Sequence, residues 1–430
     1  MARQNNNKQR PRRKKQLPEH VASVTIETLG HRGDGIAGLA DQRIHIPYTV
    51  PGDEVKIRYR GDRGRLEKLI APGPDRTQPP CPYYGKCGGC SVQHITSEFY
   101  KRWKCETVTT ALERVGIARS IVAPMISCPP NTRRRAQFAV RKTKGQIHLG
   151  FFERGSIMLV NIDACLVLSP GLNAAIPTLK ALAAATPENW QKFNIMVTQC
   201  DNGLDVSMTG SDVDEDLFGA ALSRLIDVAR DHEFIRLSIG DLPIVVFSEP
   251  VISLSGVDIP IPPGVFLQAS REGEQALVDL VKPHIAKAKR VADLFSGCGT
   301  FSFIADTEVH AFDIEGPAIE ALDIAARRAD RHHPVKAHKR NLFEQPLVPD
   351  ELKDFDAVIF DPPRAGASAQ AKQLASCEVP VIIGISCNPA SFARDAAKLI
   401  EGGYHLSHVT PVDQFVYAAH VELVGVFRKG

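Results

Sequence analysis

Residues 381–389 (Val-Ile-Ile-Gly-Ile-Ser-Cys-Asn-Pro) constrain this chain more than any other stretch. The apolar run from Val381 to Ile385 suits a strand buried on both faces of a parallel sheet. Ser386-Cys387-Asn388-Pro389 ends that run, and Pro389 fits the first turn of a helix over 390–401. Open α/β sheets bind ligands beyond the carboxyl ends of their strands, which is where Cys387 falls. A lone cysteine is usually a small buried hydrophobe. Its meaning therefore depends on what else the fold brings to that edge.

The last third of the chain alternates strand and helix around this segment. The pattern predicts strands at Arg290 to Leu294, Val309 to Phe312, Ala357 to Phe360, Pro380 to Ile385 and His405 to Thr410, with a late one from Ala418 to Phe427. Helices are expected near 272–282, 317–329, 368–376 and 390–401. Leu277, Leu280 and Val281 share one stripe of the first. This alternation predicts a doubly wound, Rossmann-like α/β domain over 263–430. With 430 residues, the chain exceeds one ordinary core, so further domains are expected before it.

A basic arm is expected over residues 1–20. Its first 16 residues hold seven Lys and Arg and no acid, a charge of +7 against a chain total of +3, so the remaining residues sum to −4. Such arms are disordered and suit nucleic acid. No apolar run approaches a membrane span and no secretory signal is seen, so a cytoplasmic protein is expected. Ten cysteines in such a chain point to metal binding or catalysis rather than disulfides.

Residues 21–71 read as a small OB-like β-barrel of short β-branched strands with turns at Gly33-Asp34-Gly35 and Pro51-Gly52-Asp53. Arg58, Arg60, Arg63, Arg65 and Lys68, with Tyr59 among them, offer charge and a stacking ring for RNA. A Pro-rich linker then opens a central α/β region, 72–262. It contains Cys81-x5-Cys87-x2-Cys90 in a Gly-rich loop. No second Cys-x2-Cys completes a zinc ribbon. By spacing, an iron–sulfur cluster, zinc and reduced structural thiols all remain open, with Cys105, Cys128 and Cys165 as candidate fourth ligands. Residues 97–115 are expected to form a helix. Arg133-Arg134-Arg135 with Arg141, Lys142 and Lys144 form a second basic patch suited to phosphates.

Three further motifs fall at strand ends of the C-terminal domain. Asp293-Leu-Phe-Ser-Gly297-Cys-Gly299-Thr300 follows its first strand, and the glycines allow close backbone approach to a ligand at a helix start. Asp313 ends the next strand, where an acid binds ribose hydroxyls. No phosphate-binding Lys accompanies them, so an adenosine without a phosphate chain, such as S-adenosylmethionine, suits the crevice. Asp361-Pro-Pro-Arg364 ends a third strand, its prolines holding the Asp361 carboxylate in a rigid turn.

Together, Cys81-x5-Cys87-x2-Cys90, Phe266-Leu-Gln268, the Asp293–Thr300 segment, Asp361-Pro-Pro-Arg and Ser386-Cys-Asn-Pro-Ala-Ser-Phe-Ala-Arg-Asp resemble the RNA uracil-5-methyltransferase family. Gly33-Asp-Gly-Ile-Ala and Val50-Pro-Gly-Asp-Glu-Val resemble a TRAM domain. With both the barrel and the cysteine loop, the chain is most similar to the 23S ribosomal RNA branch. The resemblance implies a class I S-adenosylmethionine-dependent methyltransferase domain. It implies Cys387 as nucleophile and Glu422 as base. It also implies Gln268, Phe295, Thr300, Asp313, Asn341 and Asp361 around the methyl donor. Cys81, Cys87, Cys90 and Cys165, the last within Ile162-Asp-Ala-Cys-Leu-Val-Leu, would hold a [4Fe-4S] cluster. Thr300 stands where this branch often has Asn, and Asp313 where Glu is usual. Ribosomal RNA is the implied partner, with transfer RNA as the alternative; no membrane or obligate protein partner is implied.

The chemistry accounts for these residue types. Carbon 5 of uracil is a poor nucleophile until a thiolate adds at carbon 6. A carboxylate must then remove the carbon 5 proton. The helix start after Cys387 is expected to lower its pKa from the ordinary ~8.5. Period-two alternation puts His420 and Glu422 on one face of the late strand. Two other readings compete: an amine-directed nucleic-acid methyltransferase, and a non-catalytic RNA-binding factor.

Overall fold

The computed structural model describes residues 18–143, 145–213 and 219–430. The basic residues of the expected N-terminal arm, and Lys144 of the second patch, lie outside the described residues. The chain divides into two compact units: one of residues up to Gln78 with His94–Thr96, and one of Pro79–Gln93 with Ser97–Gly430.

The first unit is the OB-like barrel. Its strands His20–Thr25, Thr28–Leu29, Asp34–Leu39, Gln42–Pro47, Glu54–Arg60 and Arg63–Ala71 form one six-stranded sheet. Inward Ile26, Ile44, Ile46, Val55 and Ile57 fill it. The Pro51–Asp53 turn is fixed by the buried Asp53 carboxylate. It accepts from the Val50 and Gly73 N–H groups and pairs with Arg76.

The second unit contains two large sheets. The central one has seven strands, including Arg135–Thr143, Lys192–Cys200 and Gly203–Thr209, with helices Pro170–Ala185 and Ala220–Asp231 completing its core. The C-terminal sheet is built from β1 (Arg290–Leu294), β2 (Glu308–Asp313), β3 (Val335–Lys339), β4 (Ala357–Phe360), β5 (Val381–Ser386), β6 (Tyr404–Asp413) and β7 (Glu422–Lys429). Their spatial order is 3-2-1-4-5-7-6, with the short strand Ile126–Ser127 beside β6. Strands β1 to β5 run parallel, and β7 is antiparallel to both β5 and β6.

Both faces of this sheet are covered, as its apolar strands require. The relevant helices are α1 (Ser97–Glu113), α2 (Arg271–Ile285), α3 (Gly316–Arg328), α4 (Ser368–Ala375) and α5 (Pro389–Glu401). On one face, Leu277 and Val281 of α2 and Leu322 of α3 meet Val291, Ile359 and Ile383. On the other, Leu374 of α4 and Phe392 and Leu399 of α5 meet Ala292, Val358 and Ile382. Adjacent strand residues thus serve opposite cores, the mark of a doubly wound sheet.

Four expectations need correction. Helix α1, read as part of the central region, packs Val108 and Leu112 into the core shared with α4 and α5. Strand β3 was missed, because Lys336, His338 and Lys339 on this edge strand break the apolar run. The late strand starts at Glu422, not Ala418; residues 414–421 are a loop. The segment after Asp293-Leu-Phe is a series of turns to Asp306, not a helix.

Candidate active site

The carboxyl ends of β1, β2, β4 and β5 gather the C-terminal motifs on one rim. Strand order reverses between β1 and β4, which leaves a crevice there. Beyond β1, Phe295 takes a left-handed backbone (φ 63°), and it and Ser296 both donate to the Phe312 carbonyl of β2. A bulky residue in this region is strained and persists only where the surroundings enforce it. The Phe295 ring lies 5.4 Å from Phe343 and 6.0 Å from Phe360, making an aromatic wall. Phe343 is partly exposed, and its N–H donates to Asn341 Oδ1, so Asn341 sets the turn that presents it.

Asp313 ends β2, with one carboxylate oxygen accepting from Gly297 N–H (2.9 Å) and the other from Glu315 N–H (2.8 Å). Each oxygen keeps a lone pair for a hydroxyl donor. Asp293 is fully buried. Ser302 Oγ donates to its Oδ2 at 2.6 Å, while its Oδ1 is buried without a partner. Burial pushes this carboxyl up to about 7, against the pull of Ser302. At Gly297 (φ 54°) an added Cβ would meet nothing within 4 Å, so open space adjoins this backbone. An orphaned buried acceptor, two anchored carboxylates, an aromatic wall and room beside a glycine suit a polar, ring-bearing ligand such as an adenosine. Thr300 sits in the adjoining turns, partly exposed.

Cys387 and Glu422 lie one step along the same rim. Strands β5 and β7 pair with Ile385 opposite Val424 and Ser386 opposite Leu423. Cys387 is the first residue past β5 and Glu422 the first of β7, and the Glu422 carboxylate is near enough to act on the Cys387 thiol. Glu422 is 5% exposed. Burial pushes its carboxyl up to about 7, opposed by the Gln414 amide, which donates to Oε1 at 3.2 Å. Asp361 follows β4, its N–H donating to the Leu294 carbonyl at 3.2 Å. Desolvation, then Glu422, Asp293 and Asp313, hold its carboxyl well above the usual range. The Asp361-Pro-Pro-Arg turn is fastened to the cysteine loop: Asn388 Nδ2 and Ser391 Oγ both donate to the Arg364 carbonyl.

The expectation of an acidic thiol is overturned. Burial, then the carboxylates of Glu422 and Asp361, push Cys387 up to about 11, with its own N–H and Arg364 pulling the other way. The donors of the α5 start are engaged elsewhere. The Ala390 N–H goes to Asn388 Oδ1, the Asn388 N–H goes to Ser386 Oγ, and Pro389 has none. The free enzyme therefore holds Cys387 as a thiol.

The loop before Glu422 is braced by a residue absent from the sequence reading. Lys104 of α1, 1% exposed, pairs with buried Asp413 and donates to the Phe415 and His420 carbonyls at 3.2 and 2.7 Å. Only α1's unexpected position brings it there. His420 thus contributes its carbonyl to this brace and is not on a strand face with Glu422. Removing one partner of a buried ion pair leaves the other uncompensated. Lys104→Met is therefore expected to lower unfolding free energy by about 3–5 kcal/mol, measured by urea denaturation.

Cys81, Cys87, Cys90 and Cys165 line one cavity of about 300 Å³ with Tyr83 and Arg133. Burial, and proximity to one another, raise the Cys87, Cys90 and Cys165 thiols, Cys90 to about 12. Among the described residues no three His, Cys, Asp or Glu side chains are drawn together as ligands of a metal ion. Cys105 and Cys128, the other candidate ligands, do not line this cavity.

Within the second basic patch, Arg134 is withdrawn from the surface, and Arg135 and Lys142 are engaged by backbone carbonyls. Arg134 is buried, paired with Glu274 and donating to the Gln268 carbonyl. Arg135 donates to Gly264, and Lys142 to Thr186 and Pro187. These cations serve carbonyls and a carboxylate of the fold.

Residues 303–429 match the family model described as tRNA (Uracil-5-)-methyltransferase. The chain is 42% identical over 412 residues to an RNA methyltransferase of Brucella suis, covering 95% of this chain and 98% of that protein. It is 29% identical over 440 residues to the 23S rRNA (uracil(1939)-C(5))-methyltransferase RlmD of Vibrio parahaemolyticus, covering 97% and 98%. The solved tRNA (uracil-54, C5)-methyltransferase of Pyrococcus abyssi, in complex with S-adenosyl-L-homocysteine, superposes with a TM-score of 0.72. It has 23% identity and covers 94% of this chain and 100% of that one. At this identity the last match speaks for the fold.

Proposed function

Because the chain belongs to the RNA uracil-5-methyltransferase family, we propose that it methylates carbon 5 of a uridine in 23S ribosomal RNA, with S-adenosylmethionine as donor and Cys387 bonding transiently to carbon 6. The observation that carries this reading is that Cys387, one residue past the Ser386–Leu423 pair, lies close enough to Glu422 and Asp361 for both carboxylates to act on its thiol. The RlmD relative, similar over nearly its whole length, favours ribosomal over transfer RNA. An amine-directed methyltransferase needs neither the thiol nor Glu422, and a binding factor needs no anchored donor crevice.

S-adenosylmethionine supplies an electrophilic methyl on a sulfonium. Asp313 would hold the ribose, Phe295 with Phe343 the adenine, and Asp293 the donor's amino group, with Gln268, Thr300, Asn341 and Asp361 completing the surround. Cys387 gives its proton to solvent water as its sulfur bonds to carbon 6, and the ring's double-bond electrons move into an enolate. Carbon 5 then takes the methyl as the sulfonium C–S bond breaks. Glu422 removes the carbon 5 proton; those electrons restore the double bond and expel the sulfur.

The barrel supports an RNA role. Lys56 faces Lys68, Arg58 faces Arg65 and Arg60 faces Arg63 across two exposed strands. Like charges directly opposite are costly alone and favourable against phosphates. Glu19 and Glu67 neutralise part of this, pairing with Arg58 and Arg60. The TRAM-like motifs fall in this unit. The reaction would take place in the cytoplasm, where ribosomal RNA is assembled.

We further propose a [4Fe-4S] cluster at Cys81, Cys87, Cys90 and Cys165, the four thiols that line one cavity. Chain purified without oxygen should be brown with about four irons. A single tightly held zinc would refute the cluster. The function itself is tested by mapping 5-methyluridine in RNA from a strain lacking this chain. One site in 23S rRNA should lose its methyl; loss only in transfer RNA would overturn the ribosomal assignment.

A further inference from the structure

Gln414 was not singled out by any motif, yet it joins the two halves of the site. It is 5% exposed and lies in the loop between β6 and β7. Its Oε1 accepts from the Ala269 N–H at 3.2 Å. Its Nε2 donates to Gln268 Oε1 at 2.7 Å and to Glu422 Oε1 at 3.2 Å. A primary amide has two N–H groups, and here both are engaged. The Ala269 contact fixes which way the amide faces, since turning it would set N–H against N–H.

The seat for this amide is built from α2. A Cβ added at Gly273 would lie 2.5 Å from Gln414 Cβ and 2.8 Å from its Oε1. Gly273 is in the first turn of α2, held by the Ser270 cap, where alanine would otherwise favour the helix. Its small size is explained by Gln414 pressing against it.

Resting on the proposed uracil methylation, we infer that Gln414 is a positioning residue that occupies Oε1 of Glu422 and leaves Oε2 as the atom that takes the carbon 5 proton, while tying this base to Gln268. A carboxyl oxygen facing an N–H donor is a poor place for a proton, so the proton must go to the other oxygen. The bond is made best to the carboxylate form, so it also keeps the buried base ionised at lower pH. Release of the covalent intermediate therefore depends on Gln414, whereas addition of Cys387 does not.

The test is Gln414→Met, which keeps the length and removes both N–H groups, alongside Gly273→Ala, whose added methyl displaces the amide while leaving Gln414 itself unchanged. The readouts are the RNA-linked fraction of enzyme at steady state and the pH profile of product release. Both variants should hold several-fold more covalent complex than wild type at neutral pH. Their acid limb should move up by about one pH unit, since loss of a hydrogen bond to the carboxylate favours its protonated form. A merely structural role would lower the rate at every pH and leave the limb in place; that result in both variants overturns the inference. If wild type itself forms no covalent complex on RNA carrying 5-fluorouridine, it is the uracil mechanism that fails.

Discussion

Cys387→Ala is expected to abolish methyl transfer, with a loss of at least ~10^4-fold in turnover and no RNA-linked protein under any condition. On the proposed mechanism, carbon 5 gains nucleophilic character only through sulfur addition at carbon 6. The substitution should leave folding nearly intact, because Cys387 is only partly buried at the end of β5 and makes no side-chain hydrogen bond that holds the loop. That loop is held instead by Asn388 and Ser391 on the Arg364 carbonyl. Transfer of labelled methyl to RNA measures the first effect and a thermal melt the second. An alanine variant that methylates near the wild-type rate would remove the thiol from the mechanism.

Glu422→Gln should do the opposite to the intermediate: sulfur addition and methyl transfer proceed, proton removal does not, and the adduct accumulates on ordinary RNA. In the wild type Glu422 titrates at about 7. A base acts only when ionised, so product release should level off above that pH and fall about tenfold per unit below it. The glutamine variant should lack this acid limb. A second effect concerns the free enzyme. The Glu422 carboxylate helps to hold the Cys387 thiol up near 11, so removing that charge lowers the thiol's pKa. Iodoacetamide should then modify Cys387 faster in Glu422→Gln than in wild type between about pH 7, where Glu422 becomes ionised, and about pH 11. Equal rates would mean that the two groups do not share one rim.

The raised thiol changes how the first step is understood. A helix start activates a cysteine only if its N–H groups are free to face the sulfur. Here Pro389 and the Asn388 side chain remove that option, and two carboxylates face the sulfur instead. Arg364 is the charged group acting toward the thiolate. The proposed nucleophile is thus held as a thiol in the free protein, which slows its adventitious oxidation.

Much of the rim was legible because its residues are local to strand ends. Asp313, Asp361 and Cys387 each follow an apolar run, and period and turn chemistry place such residues without tertiary knowledge. What escaped was set by contacts distant in sequence. Lys104 reaches Asp413 across 309 residues, and Gln414 reaches Gln268 across 146; neither has a local signature. Arg133-Arg134-Arg135 misled for the converse reason. A run of cations reads as surface, but Arg134 is drawn inward by Glu274, which only the packing of α2 reveals. The β7 boundary was misplaced because Ala418 to Val421 is as apolar as a strand, while its backbone is committed to the Lys104 brace.

The bond between sulfur and uracil is tested most directly by mass spectrometry of the chain incubated with S-adenosylmethionine and target RNA carrying 5-fluorouridine. Fluorine leaves no proton for Glu422 to remove, so the adduct cannot resolve. The predicted result is one RNA-linked species, already bearing the transferred methyl and attached at Cys387. Methylation of ordinary RNA at carbon 5 with no linked species on the fluorinated RNA would contradict it.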